Sequence, residues 1–407
     1  MKTRTTRAAR ATRQRWTLVR VLRDRNAGLY LGGVVISGFG TSALWLVSGI
    51  WVKDLTGSNG LAALSMLAMW APTLFGPLLG TLADRTRRGP LLIRTNLALA
   101  ALLLTLLAVD SARSLWLLLA VLLVYGAAGV VHDAAEAALV ATAVDPSLLG
   151  DFNGLRMTAN EGMKLVAPLA GAGIYTAYGG ASVALLDAVT FVLAAALYAC
   201  LRVDEPKPEP PTTGWRTRTA EGARFLWSHR GLRPLVLAGG ATMLLSGVNG
   251  ATVYALVEAL GHSPAYAGVL YVAQGVGSVA VGLLSGPLMR RLGERRFAAC
   301  GIALTAVAVG VRAVPSDVVA LGAGAAVGVG LPCVLVAALT AVQRETPGPL
   351  LGRAAGTANT LLFAPTAVGL AVGAGLVEIV ALQPLLAGLG LATLLPAWHL
   401  RRPRPGG

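Results

Sequence analysis

Glu161 and Lys164 stand three residues apart in a stretch that is otherwise mostly apolar, with Asn160 beside the acid. Residues at i and i+3 share a helix face, so the pair has two readings. In one, the carboxyl takes up and releases a proton while the ammonium tunes it through its charge. In the other, the two form a structural ion pair facing neighbouring helices. Asp133 and Glu136 repeat the spacing in the preceding stretch, and Arg156 is a plausible cation partner. These suit a gate salt bridge, or contact with a coupling ion or solute. His132-Asp133-x-x-Glu136 superficially suggests a metal or hydrolytic site. It lacks the His-Glu-x-x-His spacing of a zinc protease, and no second ligand cluster accompanies it. Nor does the chain offer a nucleophile–base pair or a phosphate-binding loop, so no enzyme activity, metal or cofactor is expected. Asp187 is a further isolated acid, which on its own suits an outer gate.

Such groups matter because of what must surround them. The 407 residues are 55% hydrophobic and only 13% charged, with a mean hydropathy of +0.67. Soluble domains carry about 25% charged residues; charge this sparse cannot cover a water-exposed surface. An ionisable side chain at the bilayer centre costs about 2.5–3.5 kcal/mol on insertion scales, so each needs a partner or a task. The formal charge of +15 would suggest nucleic acid in a soluble protein, but its placement argues for a membrane surface instead. Cys200, Cys300 and Cys333 lie in or beside apolar runs, with neither disulfide nor metal spacing, and read as small core hydrophobes.

About 20 apolar residues cross a bilayer, and twelve such runs can be read. They are Gly28–Val52, Leu61–Leu82, Pro90–Val109, Ser114–Val140, Leu155–Ala177 and Ser182–Leu201, then Leu235–Leu260, Tyr266–Met289, Phe297–Val314, Val318–Val342, Gly356–Val380 and Pro384–Leu400. The rise of about 1.5 Å per residue places Glu161 near mid-membrane and Asp133 and Glu136 near one mouth. The basic residues before Gly28, then Arg85, Arg87, Arg88 and Arg94, the linker, Arg290, Arg291, Arg295, Arg296, Arg344, Arg353 and the final arginines all fall on one side. Lys53, Arg113 and Arg312 fall on the other. By the positive-inside rule both termini are cytoplasmic, in a cell (inner or plasma) membrane. The basic N-terminal stretch is an anchor to anionic headgroups. The run after it is too long for a signal peptide.

The resulting organisation is a basic arm (1–27), a six-helix bundle (28–201), a cytoplasmic linker (202–233), a second six-helix bundle (234–400) and a tail (401–407). Prolines 206, 208, 210 and 211 break the linker. Trp215 to Trp227, basic and aromatic by turns, suits a helix on the membrane surface. The halves echo each other: Gly80-Thr-Leu-Ala-Asp84-Arg85-Thr-Arg87-Arg88 against Gly286-Pro-Leu-Met-Arg290-Arg291, Leu148-Leu149-Gly150 against Leu350-Leu351-Gly352, and Ala167-Pro168 against Ala364-Pro365. Such repetition is typical of secondary transporters. Second-half spans are nearly uncharged, with Asn249, Gln274 and Asn359 as their main polar features, each read as an interhelical hydrogen bond or a ligand contact. Tyr30, Thr41, Trp45, Trp70 and Tyr125 are candidates to line a cavity for a hydrophobic solute.

These residues resemble the major facilitator superfamily along essentially the whole chain. The loop from Gly80 is similar to its first signature, G-x-L-a-D-R-x-x-R-R, with Arg87 where a glycine is usual and Gly89 two residues on. The chain most resembles the bacterial drug- and siderophore-exporter branch that includes macrolide-efflux-type proteins. The passages are Arg25-Asn-Ala-Gly-Leu-Tyr-Leu-Gly-Gly, Asp187-Ala-Val-Thr-Phe191, Glu221-Gly-Ala-Arg224-Phe225-Leu226 with Leu232-Arg233, Leu260-Gly-His-Ser-Pro-Ala-Tyr-Ala-Gly, and Gln343-x-x-x-Pro347-x-x-Leu350-x-Gly352-Arg353. The resemblance implies that Gly80, Asp84, Arg85 and Arg88, with Gly286, Arg290 and Arg291 as counterparts, form a conformational-switch loop holding the outward-open state. For Asp187 it implies a structural contact. Departures are plain: Gly40 is followed by Thr41 where an acid is common, and Ala120 to Gly129 holds no arginine. Of the antiporter signature G-P-x-x-G-G there remains Ala167-Pro168-Leu-Ala-Gly171-Ala-Gly173.

The expected fold is an all-α membrane protein with 12 transmembrane helices in two pseudo-symmetric six-helix bundles. The expected function is proton-linked antiport: efflux of a small hydrophobic organic molecule (an antibiotic, drug or secondary metabolite) by alternating access, with multidrug resistance as its outcome. Expected partners are that solute, protons and lipid, without nucleic acid, in a monomer. An importer or facilitator of a metabolite or lipid is the second reading. A non-transporting membrane receptor and an intramembrane enzyme are the readings from other classes.

Overall fold

The structure is a computed structural model that describes residues 23–76, 78–79, 86–143, 149–203 and 215–401. Gly80, Asp84 and Arg85, most of the N-terminal arm, the proline-rich linker and most of the tail lie outside the described residues. Everything described is helix or short turn.

Asp24 starts α1 (Arg25–Thr56) by accepting from the Ala27 amide at 2.8 Å. Gly57 ends it at φ 70°, a left-handed conformation that a side chain disfavours. Ser58 caps α2 (Asn59–Trp70), accepting from the Leu61 amide at 3.0 Å. Pro72 then opens a 3-10 turn, Ala71–Phe75, so the second span is built in pieces. The first bundle is completed by α3 (Arg88–Leu104), α4 (Leu115–Ala143), α5 (Leu149–Tyr178) and α6 (Gly180–Ala199). A surface helix, α7 (Trp215–Ser228), follows. The second bundle holds α8 (Leu232–Ala251) and its short continuation α9 (Val253–Ala259), then α10 (Ala267–Leu292), α11 (Glu294–Val311), α12 (Asp317–Glu345), α13 (Gly348–Ile379) and α14 (Leu382–Arg401).

Eight of the described helices are long and apolar enough to cross a membrane on composition alone. The others that complete the twelve passes are interrupted α2, charge-bearing α5, α11 with its charged first turn, and α14, which carries Pro396, His399 and Arg401. The fifth run begins at Leu149, six residues earlier than its hydropathy suggests, because Arg156 and Glu161 hide its start. Of the cysteines, only Cys333 is buried; Cys200 and Cys300 are exposed and do not serve as core residues.

Small residues set the helix spacing. A Cβ on Gly171 of α5 would lie 3.0 Å from the Ala43 Cα of α1. In the second bundle a Cβ on Gly247 of α8 would lie 2.9 Å from the Leu370 amide nitrogen of α13. The hydrophobic cores then divide by depth. At the end where Arg25 and Arg401 lie, each bundle has its own core, one around Tyr30, Phe152 and Tyr198 and the other around Phe297, Val334 and Leu362. At the opposite end one core runs across both bundles, joining Leu46, Ile50 and Met66 to Tyr254, Leu270 and Leu370, beside a smaller core of the second bundle around Val309, Val327 and Leu386. Among the described residues, the halves thus share a core at one end and keep separate cores at the other.

Candidate functional site

Two chambers adjoin where the bundles meet. The first, of about 330 Å³, lies between the halves and is walled by Trp45, Trp70, Pro168, Tyr271, Gln274 and Ser278. The second, of about 310 Å³, lies within the first bundle and is walled by His132, Asp133, Glu136, Asn160, Met163 and Tyr125 among others. Thr41, Ser42 and Lys164 line both chambers. One chamber is therefore aromatic and the other acidic, with a hydroxyl pair and a lysine at their junction.

The aromatic wall is made by contact across the halves. Trp45 of α1 meets Tyr271 of α10 edge-on, with ring centroids 4.8 Å apart. Leu165 of α5 fills the space a side chain at Gly275 would need, so the two helices close on each other at this depth. In the acidic chamber Arg156 donates to Glu136 at 3.3 Å, and both side chains are mostly buried. Asp133 lies on the same wall. Glu161 occupies the α5 turn before Lys164; only its backbone is described. Lys164 is exposed to both chambers.

Asp187 is fully buried behind this wall. The Tyr125 hydroxyl lies 2.9 Å from its Oδ2 and 2.8 Å from Thr41 Oγ1. Gly40 presses directly against the Asp187 and Thr190 side chains. An acid at the Thr41 position is the family habit; here a hydroxyl stands there, and the acid stands across the bundle on α6.

Several expected site residues lie elsewhere. Tyr30 is not at a cavity wall: it is fully buried between Phe152 and Tyr198, with centroids at 5.5 and 5.7 Å. Asn249 is buried and accepts from Arg312 at 3.3 Å, and Asn359 is exposed on α13; neither lines these chambers. Pro168 lines the aromatic chamber, Gly171 packs on α1, and Gly173 meets nothing. Arg88 opens α3, while Gly286, Arg290 and Arg291 occupy the last turns of α10, with both arginines exposed. Arg312, counted among the charges of the arginine-poor side, is only 6% exposed.

The seal at the fused end was not read from the sequence. Lys53 Nζ contacts Glu258 Oε2 at 2.7 Å, and Asn59 donates to the same oxygen at 2.8 Å. Glu378 accepts from the Ser58 hydroxyl at 2.7 Å and from the Gly60 amide at 2.5 Å. A Cβ on Gly60 would stand 2.6 Å from the Ala374 carbonyl oxygen. Tyr254 donates to the Leu46 carbonyl at 3.0 Å. The hydrogen bond from Lys53, then that from Asn59, hold the Glu258 carboxyl below its usual range; it lies beyond the span that ends at Ala251. The signal was present: Glu258 and Glu378 stand on the side where cations are few and Lys53 is one of them, but orientation is read from basic residues alone.

Comparison with known proteins agrees with this architecture. The family model described as Major Facilitator Superfamily matches residues 30–248 and 235–407. Macrolide efflux protein A of Streptococcus pyogenes is 23% identical over 218 residues, which are 52% of this chain and 54% of that protein. The chain thus spans about half the length of that relative. Among solved structures, the peptide transporter POT in complex with sulfate is 15% identical with a TM-score of 0.72, covering 93% of this chain and 94% of that one. The human organic anion transporter MFSD10 (TETRAN) is 20% identical with a TM-score of 0.63, covering 93% and 99%. The nucleoside transporter NupG is 13% identical with a TM-score of 0.70, covering 91% and 98%. At these identities the likeness to the three structures is one of fold.

Proposed function

We propose a function from one premise: the chain belongs to the major facilitator superfamily, and is a multi-pass membrane transporter. The reading is proton-linked efflux of a small amphipathic organic molecule by alternating access. The observation that carries it is the pair of adjoining chambers, one aromatic and one acidic, at the junction of the two bundles. An apolar body fits against Trp45, Trp70 and Tyr271, where burial contributes roughly 25 cal/mol per Å² of apolar surface. A polar or cationic head reaches Asp133 and Glu136. The cores support alternating access: in this reading the seal at one end opens as the separate cores at the other end close. With the basic flanks inside, the termini face the cytoplasm and the chambers load from that side. The likeness to macrolide efflux protein A supports export and an antibiotic-like cargo.

Proteoliposomes containing the full chain and loaded with ethidium test the reading. An imposed pH gradient is expected to drive ethidium across the membrane, and a protonophore to abolish that movement. Movement that is downhill only and indifferent to the protonophore overturns proton linkage and favours a facilitator. Replacing Asp133 and Glu136 by their amides is expected to weaken cation transport at least tenfold.

A further inference from the structure

The geometry points to Asp187 as the proton-binding residue of the transport cycle, reached from the cavity through Thr41 and Tyr125. This rests on the proton-linked reading above and adds the group and the route. Asp187 is 0% exposed. Its described polar neighbours are hydroxyls: Tyr125 at 2.9 Å from Oδ2 and Thr190 at 3.1 Å from Oδ1. Among the described residues, no lysine, arginine or histidine comes within salt-bridge distance of it. A buried carboxylate without a cation is costly, and it is relieved by hydroxyl donors or by a proton.

The Tyr125 hydroxyl has one hydrogen but two oxygen neighbours at bonding distance, Thr41 Oγ1 at 2.8 Å and Asp187 Oδ2 at 2.9 Å. The chain of three oxygens therefore has two directions. With Asp187 ionised, Thr41 donates to Tyr125 and Tyr125 donates to Asp187. When a proton arrives from cavity water at the Thr41 oxygen, the Thr41 hydrogen passes to Tyr125 and the Tyr125 hydrogen passes to Oδ2. Asp187 then donates to Tyr125, Tyr125 donates to Thr41, and Thr41 carries the incoming proton towards the cavity. One proton enters, one O–H bond is gained on Asp187, and each hydroxyl keeps a single hydrogen.

Thr41 and Tyr125 line the acidic chamber and Thr41 also lines the aromatic one, so the relay opens where solute would bind. Phe191, one turn after Asp187, packs edge-on against the Tyr125 ring at 5.7 Å and holds it in place. The groups around Asp187 leave the relay as its link to water. The α1 face against it offers Gly40 and Thr41, and α3 carries Arg88 and Arg94 only in its first turns. From α4 come Tyr125 and, further along, His132, Asp133 and Glu136; from α5, across the cavity, comes Lys164.

Infrared difference spectroscopy on the full-length protein in lipid, titrated with acid and without solute, tests the assignment. A protonated-carboxyl C=O band is expected to titrate in the wild type and in Glu136→Gln, and to be absent from Asp187→Asn. Tyr125→Phe, which keeps the ring, is expected to shift that band. A titrating band unchanged in Asp187→Asn overturns the proposal, and so does an unmoved band in Tyr125→Phe should Asp187→Asn fail to fold. Ethidium flux separates this from the general reading. Asp187→Asn is expected to keep downhill exchange and lose at least tenfold of its response to a pH gradient. A wild type that moves no ethidium but shows the Asp187 band would overturn the cargo reading and leave the protonation site standing.

Discussion

The two bundles repeat one packing plan and differ in what they bury. In the first, Gly171 lets α5 press on α1 at Ala43; in the second, Gly247 and Gly369 let α8 and α13 press together. Pro168 and Pro365 sit at matching places in α5 and α13. Yet the first bundle encloses a carboxyl, Asp187, among hydroxyls, while the second encloses a guanidinium, Arg312, against the Asn249 amide. The first turns Asp133, Glu136, Asn160 and Lys164 to its chamber; the second presents Tyr271, Gln274 and Ser278. Helix spacing is duplicated and polar chemistry is not. Close approach depends on small residues at fixed places, so it is hard to change in one half alone. Buried charge depends on a few side chains and can diverge freely.

The shared part of that comparison breaks most visibly under crowding. Gly369→Val and Gly171→Val each force a branched side chain into a helix contact, which costs about 1–3 kcal/mol in a packed core. The larger loss is expected at Gly369, where the new atoms meet the Leu244 backbone, and the smaller at Gly171, where the Ala43 methyl is among the neighbours. Thermal unfolding in detergent reads both. A variant as stable as the wild type at either site removes the claim of a common plan.

The divergent part is sharpened by Arg312. Arg312→Leu leaves Asn249 Oδ1 without its described donor, a loss of about 1–3 kcal/mol for a buried polar atom. Adding Asn249→Leu is expected to recover part of the midpoint, because both partners are then apolar. Additive losses in the double variant would show that the two side chains do not depend on each other.

What the sequence disclosed follows the same division. Twelve passes and two halves were legible because hydropathy and small-residue repeats are properties of single segments. The acidic chamber was partly legible, since Asp133, Glu136 and Arg156 stand out against apolar neighbours. The Asp187–Tyr125–Thr41 chain was not, because its members are separated by 62 and 84 residues along the sequence and meet only when α1, α4 and α6 pack. Tyr30 misled for the opposite reason: an aromatic residue on a span looks alike whether it faces a cavity or, as here, Phe152 and Tyr198.

The contact between the halves offers a smaller effect. Gly60→Val drives a side chain against Glu378 and the Ala374 carbonyl, and so strains the sealed conformation. With the native cysteines replaced by serine, Thr41→Cys reports entry from the sealed end. Labelling there by an impermeant thiol reagent is expected to rise about tenfold, the equivalent of about 1.4 kcal/mol. Unchanged labelling would mean that Gly60 does not control that end.

The smallest effect belongs to Glu258. Its side chain is 61% exposed, so its pairing with Lys53 contributes about 0–1 kcal/mol. Because its carboxyl is held below the usual range by Lys53, the contribution is fully present above the ordinary glutamate value of about 4.3. It is lost as pH falls through the lowered value. Divided by the labelling rate of the same cysteine in the unfolded chain at each pH, which removes the thiolate's own pH dependence, the Thr41→Cys rate should therefore stay flat from pH 8 down to about 5 and rise only in stronger acid. Glu258→Gln should label slightly faster at neutral pH and lose that acid rise. A change between pH 7 and 6 that survives Glu258→Gln would overturn the assignment of the acid response to Glu258.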